Sequence, residues 1–446
     1  MKTRRPFDLV VIGAEPAGLA AAAVAARQGA RVALFRAGEG IARGPSTTGV
    51  PDFVWRKLDL HESGLDAKPV SARISLFEGG RSLETYASAT KTRDALERAG
   101  LPDHHLWADF TDTLEREWEE GESLTRRAAA KNGGAPALAA LASPRGPDIA
   151  ARLTATTRAV LDDYFADDDL KTHLASVALA PLGLGGDEPG SGLALASMSS
   201  ADGWRVRSGG RGPALADVLE EAARRAGVEF IEARIVGLQP SDDKFHQLAL
   251  ESGETLKARH VMAASVAAAA RVALPIAPAL APIARRSGAV ADVRIRFAKA
   301  PPPPAGDRDA IFFIAESVET FADARDAALE GRLPERPPVS FEFARDEIVV
   351  HAPYCPASLV VDGEERDWTE QDRQAFGRMI VQRLAPYLNG VSQAARRIEV
   401  KISPAGAPQG ASGTGASRLG GVVAPPPGHD AIGAAAKLAL DLVSGE

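Results

Sequence analysis

The stretch from residue 7 to residue 36, FDLVVIGAEPAGLAAAAVAARQGARVALFR, constrains the fold of this chain more than any other part of the sequence. It opens with a short apolar, β-branched run at residues 9–12, which is typical of a strand buried on both faces. A glycine-bearing turn and a long alanine-rich segment of high helix propensity come next. Gly29 stands where a glycine ends a helix, and a second strand-like run follows at residues 31–35. Strand, turn, helix and strand in this order predict the βαβ unit of a dinucleotide-binding domain.

Two positions of this unit depart from the usual dinucleotide-binding pattern. Its first and third glycines are Gly13 and Gly18, whereas Glu15 replaces the central glycine. Arg36 stands at the end of the second strand, where an acidic residue usually bonds the ribose. Glu15 would bring a carboxylate close to two phosphates, which costs free energy because like charges repel. The sequence therefore predicts the framework of a dinucleotide site with altered contacts to the pyrophosphate and the ribose.

Length, charge and cysteine content narrow the class of protein. A chain of 446 residues is too long for one compact core, so two interleaved domains are expected. The net charge of -7 argues against a general nucleic-acid binder, because no basic excess exists to neutralise phosphates. Cys355 is the only cysteine, which excludes an internal disulfide, a Cys-x-x-Cys redox pair and a flavin disulfide reductase. We expect this cysteine to be a buried small hydrophobe.

Two segments imitate targeting or membrane sequences without matching them. Basic residues precede the first apolar run, as in a signal peptide, but Asp8, Glu15 and Pro16 interrupt that run. Residues 261–284 are apolar and alanine-rich, yet they contain Arg271 and several prolines, which disfavours a membrane span. We therefore expect a cytoplasmic protein.

Residues 203–238 are the second informative stretch. Their pattern predicts a glycine-rich turn, an amphipathic helix up to Ala226, a glycine stop at Gly227 and a strand through Ile235. The turn before the helix could present backbone N–H groups to an anion, or it could be an ordinary turn with a solvated basic face. The glycines of this turn are Gly209, Gly210 and Gly212, and the basic residues beside them are Arg205, Arg207 and Arg211.

The rest of the pattern predicts an antiparallel sheet and several helices. Strands are expected within residues 73–86, 290–296, 310–316, 338–343 and 347–352, and one face of their sheet could floor a substrate cavity. Helices are expected at residues 90–101, 110–131, 148–165, 367–388 and 430–443, and a solvated turn at residues 167–169. His104 and His105 are expected at the surface, and neither a catalytic base nor a metal site is predicted.

Four stretches together carry a resemblance to a known family. They are VVIGAEPAGLAAAAVAARQGARVALF at residues 10–35, TTRAVLDDYFADDDLKTHLA at residues 156–175, residues 203–235 with 250–264, and GASRLGGVVAPPPGHDAIGAAAKLAL at residues 415–440. With these stretches the chain resembles the phytoene-desaturase-like FAD-dependent oxidoreductases, whose relatives include the flavin amine oxidases. The resemblance runs nearly from end to end of the sequence.

The resemblance implies an α/β fold with two discontinuous domains. A Rossmann-like FAD/NAD(P)-binding domain of the glutathione-reductase type, a three-layer ββα arrangement, would be interleaved with an α+β substrate domain that contains an antiparallel sheet. Residues 1–75, 200–285 and 400–446 are expected to form the dinucleotide-binding domain. Residues 76–199 and 286–399 are expected to form the substrate domain.

The resemblance also implies which residues hold the cofactor. The N–H groups at the helix start would face the pyrophosphate, the end of the second strand would hold the ribose, and the C-terminal glycines would approach the flavin. Ile235 would contact adenine, and Arg43 stands where the family has a glycine. The implied cofactor-binding residues are Gly13, Ala14, Glu15, Pro16, Ala17, Gly18, Arg36, Arg43, Gly209, Gly210, Ile235, Gly420, Gly421 and Val422.

Three functions stay open at this point. The first is an FAD-dependent oxidoreductase that removes a hydride from a hydrophobic or amine-bearing small molecule. The second is a non-catalytic relative that has lost flavin binding and acts as a binding or partner subunit. The third is an NADP-binding protein, in which Arg36 accepts the 2′-phosphate. The expected partners are a small hydrophobic substrate, a membrane surface contacted peripherally, and a second copy or an intact paralogue in a dimer; nucleic acid is not expected.

Overall fold

The computed structural model describes residues 5–36, 47–116, 151, 155–180, 183–196, 203–207, 212–239, 245–264, 289–404, 417–419, 422–424 and 431–444. In chain order its strands are β1 Phe7–Ile12, β2 Val32–Phe35, β3 Thr47–Pro51, β4 Ala67–Pro69, β5 Arg73–Leu76, β6 Ser82–Thr85, β7 Gly203–Arg207, β8 Glu229–Ile231, β9 Ile235–Gln239, β10 His246–Leu250, β11 Thr255–Ala263, β12 Ala289–Phe297, β13 Ile311–Ile314, β14 Val339–Phe343, β15 Glu347–Cys355, β16 Leu359–Val361, β17 Glu364–Arg366, β18 Ala395–Pro404, β19 Ser417–Leu419 and β20 Val422–Ala424.

The α-helices are distributed along the whole of the described chain. Those with both ends described are α1 Pro16–Arg27, α2 Asp52–Lys57, α3 Ala89–Arg98, α4 Thr157–Tyr164, α5 Asp168–Leu179, α6 Leu193–Ala196, α7 Leu215–Arg225, α8 Glu319–Leu329, α9 Glu370–Leu384, α10 Val391–Ala394 and α11 Ala431–Ser444. Residues 107–116 are also helical. Within the residues that the structure describes, no helix is both long enough and apolar enough to cross a membrane.

The first sheet is built on the βαβ unit that the sequence predicts. Strands β20, β11, β1, β2 and β8 lie side by side and run parallel, and β19 pairs antiparallel with β20 at one edge. β1 is central because it is apolar on both faces: Val10 lies opposite Val261 of β11, and Val11 lies opposite Leu34 of β2. The hairpin of β9 and β10 continues into β11 by antiparallel pairing. The chain therefore has the mixed α/β fold that was predicted.

Helix α1 is buried on all sides. All of its residues between Ala17 and Ala26 are buried, among the first sheet, α7 and α11. Alanine suits this position because it combines the highest helix propensity with the smallest methyl-bearing side chain. The helix ends as predicted, since Gly29 has a φ of +88° and its N–H donates to the carbonyl of Ala26.

The second sheet has seven strands in the order β18-β12-β15-β14-β13-β5-β6. All of its pairs are antiparallel except β13 with β5. One face packs its apolar side chains, such as Phe341 and Val350, against α9. The opposite face carries the alternating polar residues of the same strands. The predicted antiparallel sheet is confirmed, and β18 is an added strand whose alternation of Ile398, Val400 and Ile402 was its sequence signal.

Three sequence-based predictions about elements are wrong. The helix expected at residues 148–165 is not continuous, because Thr156 is extended and is the N-cap of α4. The single strand through Ile235 is two strands, because β8 ends at Ile231 beside β2 and β9 begins at Ile235 beside β10. The solvated turn at residues 167–169 is a helix start instead. Asp167 is the N-cap of α5, and its carboxylate accepts a hydrogen bond from the Leu170 N–H at 2.8 Å.

A fully buried histidine ties α5 to the hairpin of β5 and β6. His173 Nδ1 lies 2.7 Å from Ser75 Oγ, and its Nε2 lies 3.0 Å from Thr85 Oγ1. Burial, with a smaller effect of the nearby Arg73 charge, lowers the pKa of His173 to about 3. The imidazole is therefore neutral and acts as a hydrogen-bonding bridge in the core. Cys355 is also buried, as predicted, and its burial raises the pKa of the thiol.

Candidate functional site

The turn after β1 has the geometry of a dinucleotide-binding loop. Gly13 has a φ of +106°, a conformation that side chains disfavour, and its N–H donates to the carbonyl of Phe35 at 3.0 Å. Gly18 lies in the first turn of α1. A Cβ at Gly18 would lie 2.2 Å from the carbonyl oxygen of Gly13 and 2.7 Å from the Cβ of Ala264. Gly18 therefore lets the helix approach the ends of β1 and β11 closely, as the third glycine of such a loop does.

The start of α1 has backbone donors that the helix does not use. Pro16 occupies the first helical position, and no side chain caps the helix at its N-cap residue. The N–H groups of Ala17 and Gly18 belong to the first turn, where an α-helix supplies no acceptor of its own. These donors and the helix dipole fit an anion such as a phosphate. Ala14, Ala17 and Gly18 are themselves buried.

Glu15 changes the charge of this loop without straining it. Its φ of −68° and ψ of 162° are an ordinary extended conformation, so the backbone at this position does not require glycine. The side chain folds back over the turn, since Glu15 Oε2 lies 2.6 Å from the point where a Cβ on Gly13 would be. The difference from the usual loop is therefore a carboxylate beside the helix start. It opposes a phosphate by charge rather than by backbone shape.

Arg36 is held by carboxylates at the adjacent strand end. It forms an ion pair with Glu220 of α7, and its Nη1 lies 3.0 Å from Glu232 Oε1. Its guanidinium lies 5.2 Å from the ring centroid of Phe230, and Arg224 contacts the same ring and the same Glu220. A 2′-phosphate would have to compete with two carboxylates for this arginine. The structure thus gives no support to the hypothesis that Arg36 binds NADP.

Some of the remaining predicted site residues lie within the part of the chain that the structure describes, and the others lie outside it. Ile235 is half-buried at the start of β9, and Val422 begins β20 beside β11. Gly13, Arg36 and Ala264 follow the carboxyl ends of three neighbouring parallel strands, the edge where open α/β sheets bind ligands. Outside the described residues lie Arg43, Gly209, Gly210, Gly420 and Gly421.

Sequence reasoning missed a group of charged residues on the polar face of the second sheet. The sequence suggested that Arg205 of β7 lies on a solvated face or contacts an anion. In the structure it instead forms an ion pair with Glu342 of β14. On the same face His351 Nδ1 lies 2.6 Å from Asp292 Oδ1, and Ser340 is the cross-strand neighbour of His351. The signal in the sequence was the alternation of polar and apolar residues from Asp292 to Phe297 of β12.

Comparison with known proteins identifies the fold. No protein-family model matches the chain, and no curated protein sequence matches it. A triple mutant of putrescine oxidase has a TM-score of 0.55 at 15% identity, and cyclohexylamine oxidase from Brevibacterium oxydans IH-35A has 0.51 at 16% identity. In both cases the match covers 99% of each chain. Wild-type putrescine oxidase bound to putrescine has a TM-score of 0.54 at 15% identity.

The chain shares the fold of these amine oxidases. The match extends over nearly the whole chain, which agrees with the end-to-end resemblance seen in the sequence. At such low identity the likeness concerns the fold alone. The narrower resemblance to phytoene desaturases stays a prediction.

Proposed function

We propose that this protein is an FAD-dependent oxidoreductase that removes a hydride from a small amine-bearing molecule. The observation that carries the proposal is the packing of Gly18 on Gly13 and Ala264, which brings the start of α1 to the carboxyl edge of a parallel sheet. This arrangement occurs in a chain that shares the fold of two amine oxidases. Bound FAD would supply the hydride acceptor.

The described residues fit FAD in their framework and oppose it at one position. The N–H groups of Ala17 and Gly18 would hold a phosphate at the helix start. Glu15 is the opposing group, because its carboxylate lies on the same turn. We also propose that the dinucleotide-binding domain has the glutathione-reductase-type arrangement and is interleaved with the substrate domain at the boundaries given above.

The polar face of the second sheet supports an amine-bearing substrate over an isoprenoid or another wholly apolar one. Asp292 and Glu342 are buried there, and His351 and Arg205 lie with them. A wholly apolar substrate on this face would remove these charged groups from water without offering them hydrogen bonds, whereas an amine could donate or accept them. A substrate with a nitrogen that donates or accepts hydrogen bonds suits this face better.

Thermal unfolding in the presence of nucleotides tests the proposal. A ligand that binds only the native state stabilises it by about 2.7 kcal/mol at one hundred times its dissociation constant. We expect FAD to raise the unfolding temperature and NADP to leave it unchanged. An equal rise with both nucleotides, or none with FAD, would contradict the proposed cofactor.

The charge of Glu15 should weaken FAD binding. We expect both Glu15→Gly and Glu15→Gln to tighten FAD binding by about tenfold or more, equivalent to about 1.4 kcal/mol, because each removes a negative charge beside the pyrophosphate. Titration followed by flavin fluorescence gives the dissociation constants. A gain with glycine but not with glutamine would assign the effect to side-chain size. Unchanged dissociation constants in both variants would show that the charge of Glu15 does not weaken FAD binding.

A second candidate function is favoured by the carboxylate on the loop and the engaged arginine. Glu15 and Arg36 together disfavour a dinucleotide, so the chain could be a non-catalytic relative that acts as a binding or partner subunit, for example beside an intact paralogue. In that case neither FAD nor an amine would change the unfolding temperature of the protein. A partner purified together with the protein from its natural source would then be the positive result.

A further inference from the structure

The polar face of the second sheet points toward the dinucleotide-binding side of the molecule. Helix α9 covers the other face of this sheet. On the polar face, Glu342 forms an ion pair with Arg205 of β7. The residue after Arg205, Val206, belongs to the same apolar cluster as α1. The polar face therefore lies toward the part of the fold that contains the glycine turn.

Charged residues along β12 become more buried from one end of the strand to the other. The exposed fraction of the side chain falls from 49% at Arg296 to 21% at Arg294 and 7% at Asp292. Arg294 and Arg296 pair with Glu347 at the outer end. A line of polar groups thus runs from the solvent to Asp292 in the interior.

At the inner end of this line Asp292 and His351 form a hydrogen-bonded pair. They face each other in the register of β12 and β15, with Nδ1 of His351 2.6 Å from Oδ1 of Asp292. An ionised carboxylate only accepts hydrogen bonds, so Nδ1 of His351 is the donor in this pair, and Nε2 is the ring nitrogen that can accept a proton. A carboxylate in this place fixes both the tautomer and the orientation of the imidazole.

The neighbours of the pair extend across the sheet. Ser340 of β14 lies directly across from His351, and Lys401 of β18 lies directly across from Asp292. Cross-strand neighbours have their Cβ atoms about 5 Å apart, so Ser340 and His351 are neighbours on this face of the sheet. In the next row the charged residues are Arg294, Glu342 and Glu399, and each has an ion-pair partner.

We propose that His351 accepts the proton that an amine substrate loses when it is oxidised, and that Asp292 is its positioning residue. The inference rests on the proposed function. The C–H bond next to nitrogen breaks, and its electron pair leaves as hydride to the flavin oxidant. The amine N–H bond breaks, its proton moves to Nε2 of His351, and a C=N bond forms, so the amine becomes an imine.

Three variants test the assignment, with cyclohexylamine as the probe. His351→Gln removes the base, Asp292→Asn removes its positioning partner, and His105→Gln is a control at an exposed histidine whose Nδ1 lies 2.9 Å from the Pro102 carbonyl. The first measurement is flavin bleaching by the amine in a single anaerobic turnover. We expect His351→Gln to lower the limiting rate constant by about 10²- to 10⁴-fold, with a less than tenfold change in amine affinity. The control should equal the wild type.

Asp292→Asn has a readout of its own that does not depend on turnover. NMR of isotope-labelled histidine should detect the Nδ1–H tautomer of His351 in the wild type and a loss of that preference in Asp292→Asn. This variant should also lower the limiting rate constant, by less than His351→Gln. If the His351 tautomer and the limiting rate constant were both unchanged in Asp292→Asn, Asp292 would not be a positioning residue. This conclusion would hold even if His351→Gln failed to fold.

A thermal measurement separates failure of this inference from failure of the proposed function. Cyclohexylamine should raise the unfolding temperature of the wild type, with or without flavin, and should raise that of His351→Gln less. If the wild type holds FAD and His351→Gln is reduced as fast as the wild type, the inference is wrong and the proposed function stands. If no flavin binds, the proposed function is wrong. In that case, if cyclohexylamine raised the unfolding temperatures of the wild type and His351→Gln equally, or raised neither, the assignment of His351 would also be overturned.

Discussion

Replacing Gly18 with alanine is expected to lower the free energy of unfolding by about 3 kcal/mol, because the added methyl group overlaps fixed atoms. Its carbon would lie 2.2 Å from the Gly13 carbonyl oxygen and 2.7 Å from the Ala264 Cβ. Neither contact involves the far end of a flexible side chain, so α1 itself would have to move away from the strand ends. Urea unfolding of the wild type and the variant measures the loss. FAD binding should be lost with it, because the helix start leaves the sheet edge.

The matched control for this variant is Gly237→Ala in β9. A Cβ at Gly237 would meet only the Cβ of Ala249, at 3.4 Å, which is an ordinary contact. We expect its free energy of unfolding to change by less than about 1 kcal/mol. If Gly18→Ala were as stable as this control, the close approach of α1 to β1 and β11 would be contradicted.

Replacing Arg205 with methionine is expected to cost about 3 kcal/mol of folding free energy, because it leaves a buried carboxylate without its ion-pair partner. The Glu342 side chain is only 9% exposed. Arg205 lies in β7, the middle strand of a three-stranded sheet in the order β3-β7-β4, and Glu342 lies in β14 of the second sheet, so the pair joins two sheets. Loss of the pair should therefore also loosen the contact between these sheets, which faster hydrogen exchange in β7 would report.

A double variant and an exposed pair complete this test. Arg205→Met combined with Glu342→Leu removes both charges, so it should cost less than Arg205→Met alone. Arg397→Met removes a charge that is 69% exposed and pairs with Glu399, and it should change stability by at most about 1 kcal/mol. Equal losses in Arg205→Met and Arg397→Met would contradict the importance of the Arg205–Glu342 pair.

The sequence predicted those parts of the fold whose signals are local. The βαβ unit was predictable because an apolar strand, a glycine turn and an alanine-rich helix each leave a short pattern near Gly13. The strands of the second sheet were predictable for the same reason. Their order was not, because β13 pairs with both β14 and β5, whose sequence separations differ widely.

The sequence did not predict the partners of the site residues. Arg36 and Glu220 are 184 positions apart, so nothing near Arg36 indicates that a carboxylate holds it. Arg205 and Glu342 are 137 positions apart, and Asp292 and His351 are 59 positions apart. These contacts depend on strand register and domain packing, which a pattern of single residues does not encode. The misfit at Glu15, by contrast, was visible because the glycine motif fixes what that position must contact.

The visible absorption spectrum of the desalted wild-type protein shows whether the protein holds a flavin. We expect the two absorption bands of an oxidised flavin, and we expect anaerobic addition of an amine such as cyclohexylamine to bleach them as the flavin is reduced. A colourless protein that stays colourless after incubation with FAD and desalting would contradict the proposed function as an FAD-dependent oxidoreductase. The fold would then be that of an oxidase, and the loop of Gly13, Glu15 and Gly18 would be a site that no longer holds a flavin.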